Sequence, residues 1–268
     1  MSARIRFCGW RARLATLGIA LLHAQAGAET VFTHVHLRVA DPAAAAEWYR
    51  TLFGGEIGRG GPGPSVRFMT GFIGTMPNDG PAPSSSGGVI DHFGVWVADV
   101  DAAIDQARRL GATVDAEPAA ARPGGPVVAF IVDPWGTRVE LVEGAAQVGV
   151  NHVHVVARDA DAVRDWFVDV FDGRFDPERG GNRFHGVGFG DIWVHITEAA
   201  DAGTKPSRGR SLDHLGLRLP LAVAAFGERI EAAGYPPYLI RPNPPGSDLL
   251  FFEGPGGIHF EIAESPSR

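Results

Sequence analysis

Apolar and polar positions alternate in four short stretches of the chain, and each stretch leads into a segment with helical spacing. The first reads VFTHVHLRV, then Asp41-Pro42, then AAAAEWYRTLF. Alternation predicts a strand, Asp before Pro predicts an N-cap and first helical position, and Gly54-Gly55 predicts the stop. The third stretch repeats this: NHVHVVARDAD, AVRDWFVDVF, then Gly173. The second runs from DHFGVWV into a helix from about Asp101 to Leu110 and Gly111. The fourth runs from DHLGLRL into LAVAAFGERIEAA and Gly234. Short apolar runs parted by Gly, Pro and Asp follow, as in VVAFIVDPWGTRVELVE and LLFFEGPGGIHFEIAE. The pattern predicts a unit of strand, helix and about three strands, used four times.

Histidine marks the start of each unit. His34 to Gly54, His92 to Gly111, His152 to Gly173 and His214 to Gly234 are 20, 19, 21 and 20 positions apart. Units one and three share an HVH opening, and units two and four share DH, an apolar residue and Gly. His34 to His152, His92 to His214 and Glu140 to Glu261 span 118, 122 and 121 positions. A pair of units duplicated whole accounts for this, and predicts two domains, residues 29–147 and 148–268. Clusters of Pro, Gly, Ser and Asp at 77–88 and 199–209 part the units inside them.

Charge narrows the partners. The formal charge is −7, and the four arginines before residue 29 leave 20 basic against 31 acidic residues in the remainder. A polyanion needs a basic surface, so neither nucleic acid nor an anionic membrane is an expected partner. The same arginines lead into LATLGIALL, and Ala26-Gly27-Ala28 offers small residues at a cleavage point. Residues 1–28 are therefore expected to be a signal peptide cut near Ala28, giving a secreted or periplasmic protein. The apolar run is too short for a membrane span. Cys8, the single cysteine, lies in that segment, which leaves His, Asp and Glu as metal donors in the mature chain.

Residues 31–264 resemble the vicinal oxygen chelate superfamily, which includes glyoxalase I, extradiol dioxygenases, fosfomycin-inactivating transferases and bleomycin-resistance proteins. DPWGTRVELVE, with Asp133, Pro134, Gly136 and Glu140, is similar to the family's end-of-unit signature. The resemblance implies an α+β fold of four βαβββ modules paired into two glyoxalase-like domains. It also implies metal ligands on the first and last strands of the units. On that basis His34, His92 and Glu140 form one two-histidine, one-carboxylate set, and His152, His214 and Glu261 another. Such a set leaves open positions for substrate oxygens and suits Fe(II) or Mn(II), with Zn(II) or Ni(II) as alternatives.

In glyoxalase I the first unit of a pair also ends in a carboxylate ligand. Here Gly74 or a neighbour stands there in the first half, and His195 in the second. Three readings of His195 stay open: a fourth ligand, an acid–base group beside the metal, or a buried histidine locked in one tautomer. Phe251 stands where ring-cleaving dioxygenases present a tyrosine, which counts against that chemistry. Strand alternation places His36 beside His34 and His154 beside His152. Gly94 and Gly216 would leave room for substrate, while Arg138 and His259 flank the two glutamates as donors to a bound anion. Asp91 and Asp213 are expected on the opposite strand face. His195, His154 and His259 are the candidate catalytic residues, and His185 is not oriented by the sequence. Trp48, Phe53, Trp166 and Phe171 read as core, and the glycines of 58–63 and the PPGS near Pro244 as loops.

The expectation is a metal-dependent enzyme, dioxygenase-like or lyase/isomerase-like, that chelates adjacent oxygens of a small molecule and works as a monomer or homodimer. The alternative is a non-catalytic protein that sequesters a small ligand, as bleomycin-resistance proteins do.

Overall fold

A computed structural model describes residues 29–144, 148–200, 205–243 and 247–265; the expected signal peptide, 1–28, lies outside the described residues. Unit one is β1 (Val31–Val39), α1 (Pro42–Phe53), β2 (Glu56–Arg59), β3 (Pro64–Arg67) and β4 (Phe72–Pro77). Unit two is β5 (Ile90–Val97), α2 (Val100–Arg109), β6 (Thr113–Ala120), β7 (Val127–Val132) and β8 (Arg138–Glu143). Unit three is β9 (Gly149–Ala157), α3 (Ala160–Phe171), β10 (Arg174–Asp176), β11 (His185–Phe189) and β12 (Ile192–Glu198). Unit four is β13 (Leu212–Leu219), α4 (Val223–Ala232), β14 (Leu239–Asn243), β15 (Ser247–Glu253) and β16 (His259–Glu264). The four βαβββ modules are as expected.

Local chemistry sets the helix ends. Asp41 Oδ1 accepts from the Ala43 and Ala44 amides at 3.0 Å, and Pro42, which has no amide hydrogen to leave unpaired, opens α1. Gly54 ends it at φ 76°. α3 departs from the expectation: Asp172, not Gly173, takes the left-handed position at φ 55°. Aspartate tolerates that region because its short side chain bonds locally. Gly173 is needed for closeness instead, since a Cβ there would lie 2.4 Å from Val187 Cγ1.

The units pair across the two halves of the sequence. One eight-stranded sheet runs β14-β15-β16-β13-β1-β4-β3-β2, the other β10-β11-β12-β9-β5-β8-β7-β6. Unit one thus shares a sheet with unit four, through antiparallel β1 and β13, and unit two with unit three, through antiparallel β5 and β9. Helices bind within the halves. Tyr49 Oη donates to Asp133 Oδ2 at 2.6 Å and Trp48 Nε1 to the Leu110 carbonyl at 2.8 Å, which fastens α1 to unit two. Phe171 of α3 stacks on Phe226 of α4 at 5.7 Å, and Trp166 packs on Phe260. Phe167, Phe171, Phe226, Phe252 and Phe260 are fully buried, each ring contributing about 1.5–3 kcal/mol.

This pairing corrects the two ligand sets drawn within the halves. β1 bonds β4 on one side only, so its other edge needs a partner, and β13, with the same free edge, supplies it. His34 therefore meets His214 and Glu261 rather than His92 and Glu140, and His152 meets His92 and Glu140 rather than His214 and Glu261.

Candidate metal centres

The outer centre lies where β1, β13 and β16 run side by side. Register places His36 opposite His214, His34 opposite Gly216, and Gly216 beside Glu261. The donor atoms of His34, His36, His214 and Glu261 all lie within 4.8 Å of one another. His34 Nε2 is 3.8 Å from Glu261 Oε1, and His214 Nε2 is 3.5 Å from Glu261 Oε2. Gly216 makes room for a ligand residue, not for substrate as the sequence suggested: a Cβ there would sit 2.0 Å from His34 Cε1. Gly74 does the same for His36, whose Nε2 is 3.0 Å from where its Cβ would be. The place that a carboxylate takes in the family pattern is thus filled from the neighbouring strand.

These donors fit a cation. His34 Nε2, both His36 ring nitrogens and His214 Nε2 are buried without a hydrogen-bond partner. Unpaired buried nitrogens cost on the order of 1–3 kcal/mol each, a cost that coordination would offset. Three imidazoles and one carboxylate suit Fe(II), Mn(II), Ni(II) or Zn(II).

A β-bulge precedes every one of the four repeat histidines. The registers of β1 with β13 and of β5 with β9 skip Thr33, Asp213, Asp91 and Asn151. An extra residue in a strand breaks the period of two, so it turns toward its neighbour's side. That corrects the expectation for Asp91 and Asp213. Thr33 Oγ1 meets His34 Nδ1 at 3.0 Å, Asp91 Oδ1 meets His92 Nδ1 at 2.7 Å, Asn151 Oδ1 meets His152 Nδ1 at 2.5 Å, and Asp213 Oδ1 meets His214 Nδ1 at 2.7 Å. For the two aspartates the bond holds the proton on Nδ1 and turns the Nε2 lone pair inward, as metal-binding histidines require.

Asp213 is the hub of the outer centre. It is fully buried and accepts from Arg38 Nε, the Gly209 amide, His214 and His259 Nδ1 at 2.5–2.8 Å. His259 Nε2 in turn accepts from Tyr238 Oη at 2.5 Å. His259 therefore braces a ligand from behind and is not a donor to bound anion. Arg138 has the matching place in unit two, bonding Asp91 and Asp115 at 2.8 Å.

Charge follows from these contacts. Burial pushes His34 down to about 4, with Glu261 opposing, and holds His36 well below its ordinary value, so both are neutral lone-pair donors. Burial would also lower His214, but Asp213 and Glu261 outweigh it and raise it to about 9, so without a metal its Nε2 carries a proton that coordination would displace. Glu261 resists the upward push of burial through His214 and His34 and stays ionised, down at about 2.

The inner centre, over β5, β8, β9 and β12, has a related inventory in a different state. His92 Nε2 and His152 Nε2 lie 3.2 and 3.0 Å from the same oxygen of Glu140. His154 faces the same cluster, but its Nε2 meets Thr197 Oγ1 at 2.6 Å. His195, where the first sheet has Gly74, stacks on His152 at 4.2 Å, and its Nε2 accepts from Arg179 Nε at 3.1 Å. Burial foremost, then His152 and His154, push His195 far below its ordinary range, so it is neutral. Of this set only His152 Nε2 is buried without an aligned partner.

The sequence reading brought the right strands to the sites but missed their arginines. Arg59, Arg67, Arg218 and Arg241 line a cavity of about 580 Å³ that opens onto His34 and Glu261. Arg122, Arg179 and Arg183 line another of about 580 Å³ over the inner set. Arg218 was legible by the rule used for His36, since it lies on the face of His214 and Gly216; the others sit on loops and outer strands whose facing depends on pairing. His185 is at the surface of α3, 3.0 Å from Asp161, away from both centres. Phe251 packs edge-on to His214 at 5.9 Å, and Phe130 edge-on to His92 at 5.2 Å.

Known proteins share this plan. The family model for the glyoxalase-like domain matches residues 34–142. A lactoylglutathione lyase of Arabidopsis thaliana is 30% identical over 123 residues, which span 42% of this chain and 44% of that protein, so less than half of the plant relative is matched. The lactoylglutathione lyase of Salmonella typhimurium is 26% identical over 121 residues, 41% of this chain and 90% of its own. The structure of glyoxalase I from Zea mays superposes with a TM-score of 0.70 at 17% identity, over 88% of this chain and 92% of that one, which is a likeness of fold. The glyoxalase-like domain model is thus matched in the first half, and the fold of glyoxalase I runs through both.

Proposed function

We propose that this protein is a metal-dependent enzyme of lyase or isomerase type, acting at the outer centre on a small anion with two adjacent oxygens. The convergence of unpaired nitrogens from His34, His36 and His214 on ionised Glu261 carries this reading. A bound divalent ion would act as a Lewis acid, polarising a substrate oxygen. His34, His36, His214 and Glu261 would hold the ion with four donors, and beside two substrate oxygens these would leave less room for dioxygen than a three-donor set would. That count favours the lyase or isomerase outcome over the oxygenase one.

The chain's own residues do the rest. Arg59, Arg67, Arg218 and Arg241 bring four positive charges to the cavity wall, and Glu261 is the single carboxylate among its lining residues. An anionic substrate is drawn in and turned so that its reacting carbon faces Glu261, one oxygen of which would bind the ion while the other accepts the proton. Phe72 stacks on His34 at 4.4 Å and keeps water from that side of the ligand.

The test is solvent exchange. Protein loaded with Mn(II), Ni(II) or Zn(II) is incubated in D2O with a panel of anionic α-hydroxy and α-oxo carbonyl compounds that includes S-lactoylglutathione, and the α-proton is followed by NMR. Exchange or turnover with at least one compound, abolished by chelation and by His214→Ala, is expected. Tight binding of the panel without exchange by any loaded form would instead support a sequestering protein.

A further inference from the structure

We propose that the cavity over β9 and β12 is a binding site for a small aromatic monocarboxylate, held by Arg179 and Arg183 against a column of stacked rings. The site is separate from the outer centre, and the inference does not rest on the reaction assigned there.

The ring column comes first. Phe184 stacks on His195 at 4.1 Å, and His195 on His152 at 4.2 Å, with interplanar angles of 28° and 23°. Phe184 and both histidines line the cavity. The β7–β8 flank opposite offers Val128, Phe130 and Val142. A ring column facing an apolar flank across a space of about 580 Å³ suits a flat body of one or two rings.

The charge comes second. Arg179 lies over the Trp193 ring at 3.8 Å and spends Nε on His195, and among the described residues no carboxylate forms an ion pair with it, Asp176 acting on it only from beyond that distance. Arg183 lies over Phe184 at 5.4 Å and gives Nη1 to the Ala121 carbonyl at 3.2 Å. Arg179 is half-buried and Arg183 exposed; a guanidinium without a salt-bridged carboxylate can take an anion, and its planar fork matches a carboxylate. Glu140 lines the same cavity on the His92 side. A ligand with one negative charge at the arginine end and an uncharged body toward Phe130 satisfies both ends, whereas a second charge would meet Glu140.

The experiment uses the full chain in the presence of chelator, with benzoate as probe and acetate and benzamide as controls, read by calorimetry and tryptophan fluorescence. Benzoate is expected to bind at one equivalent, at least tenfold tighter than either control, and more weakly as salt rises. Arg179→Gln, and Arg183→Gln as a second variant that leaves the His195 bond intact, should each weaken it about tenfold with unchanged circular dichroism. His214→Ala should leave it unaltered, which separates this site from the outer centre. Benzoate binding no tighter than acetate or benzamide, indifference to both arginine variants, or loss in His214→Ala would overturn the proposal.

Discussion

Gly74 on β4 lies directly across from His36 on β1, and a Cβ at residue 74 would come within 3.0 Å of His36 Nε2. The glycine is thus part of the outer centre although it has no side chain to donate. Gly74→Ala should fold normally, because the obstructed atoms are the far end of one side chain. It should weaken metal binding about tenfold, since overpacking costs on the order of 1–3 kcal/mol and each 1.4 kcal/mol is tenfold. Competition titration against a chromogenic chelator reads the change; an affinity equal to wild type would remove His36 from the ligand set.

Asp213 orients a ligand without touching the site. Asp213→Asn keeps the shape but leaves a neutral group to face Arg38, His214 and His259. Outer partners of metal-bound histidines are typically worth 10–100-fold in affinity, and a loss of that size is expected. His259→Gln, which can still donate to Asp213, should lose much less. Equal losses in the two variants would mean that Asp213 acts only through general stability.

Asp133 gives the fold a pH signature far from either cavity. Burial raises its carboxyl to about 6, against the Tyr49 hydroxyl and the Thr137 and Trp135 amides that stabilise the charge. A carboxyl raised in the folded state binds its proton more tightly there than in the unfolded chain. Its favourable contribution is therefore complete below pH 4 and is lost as pH rises through 6, about 3 kcal/mol in all. Asn at this position can accept both amide bonds and pair with Tyr49, and it does not titrate. In urea melts from pH 4 to 7 the stability of Asp133→Asn relative to wild type should climb by roughly that amount. Parallel curves would place the Asp133 pKa outside this range.

The sequence made the repeat plain because unit length, histidine and closing glycine recur locally. Which units share a sheet was not legible: β1 needs an antiparallel neighbour, and its alternation is satisfied equally by either of the DH strands. Only the tertiary arrangement, with α1 fixed to unit two through Tyr49 and Asp133, sends β1 to β13. The bulges hid Asp91 and Asp213 for a related reason, since a period of two assigns faces correctly only until a strand gains a residue. The signal was nonetheless present. Each repeat histidine follows Thr33, Asp91, Asn151 or Asp213, all able to bond an imidazole one residue on.

Contrast between the two centres is the central claim, and metal stoichiometry tests it directly. Purified protein is stripped, titrated with Mn(II), Ni(II) and Zn(II), and measured again as His214→Ala and as His92→Ala. One tight equivalent in wild type, kept in His92→Ala and lost in His214→Ala, is the predicted result. Metal lost from His92→Ala and retained in His214→Ala would contradict the assignment of the outer centre.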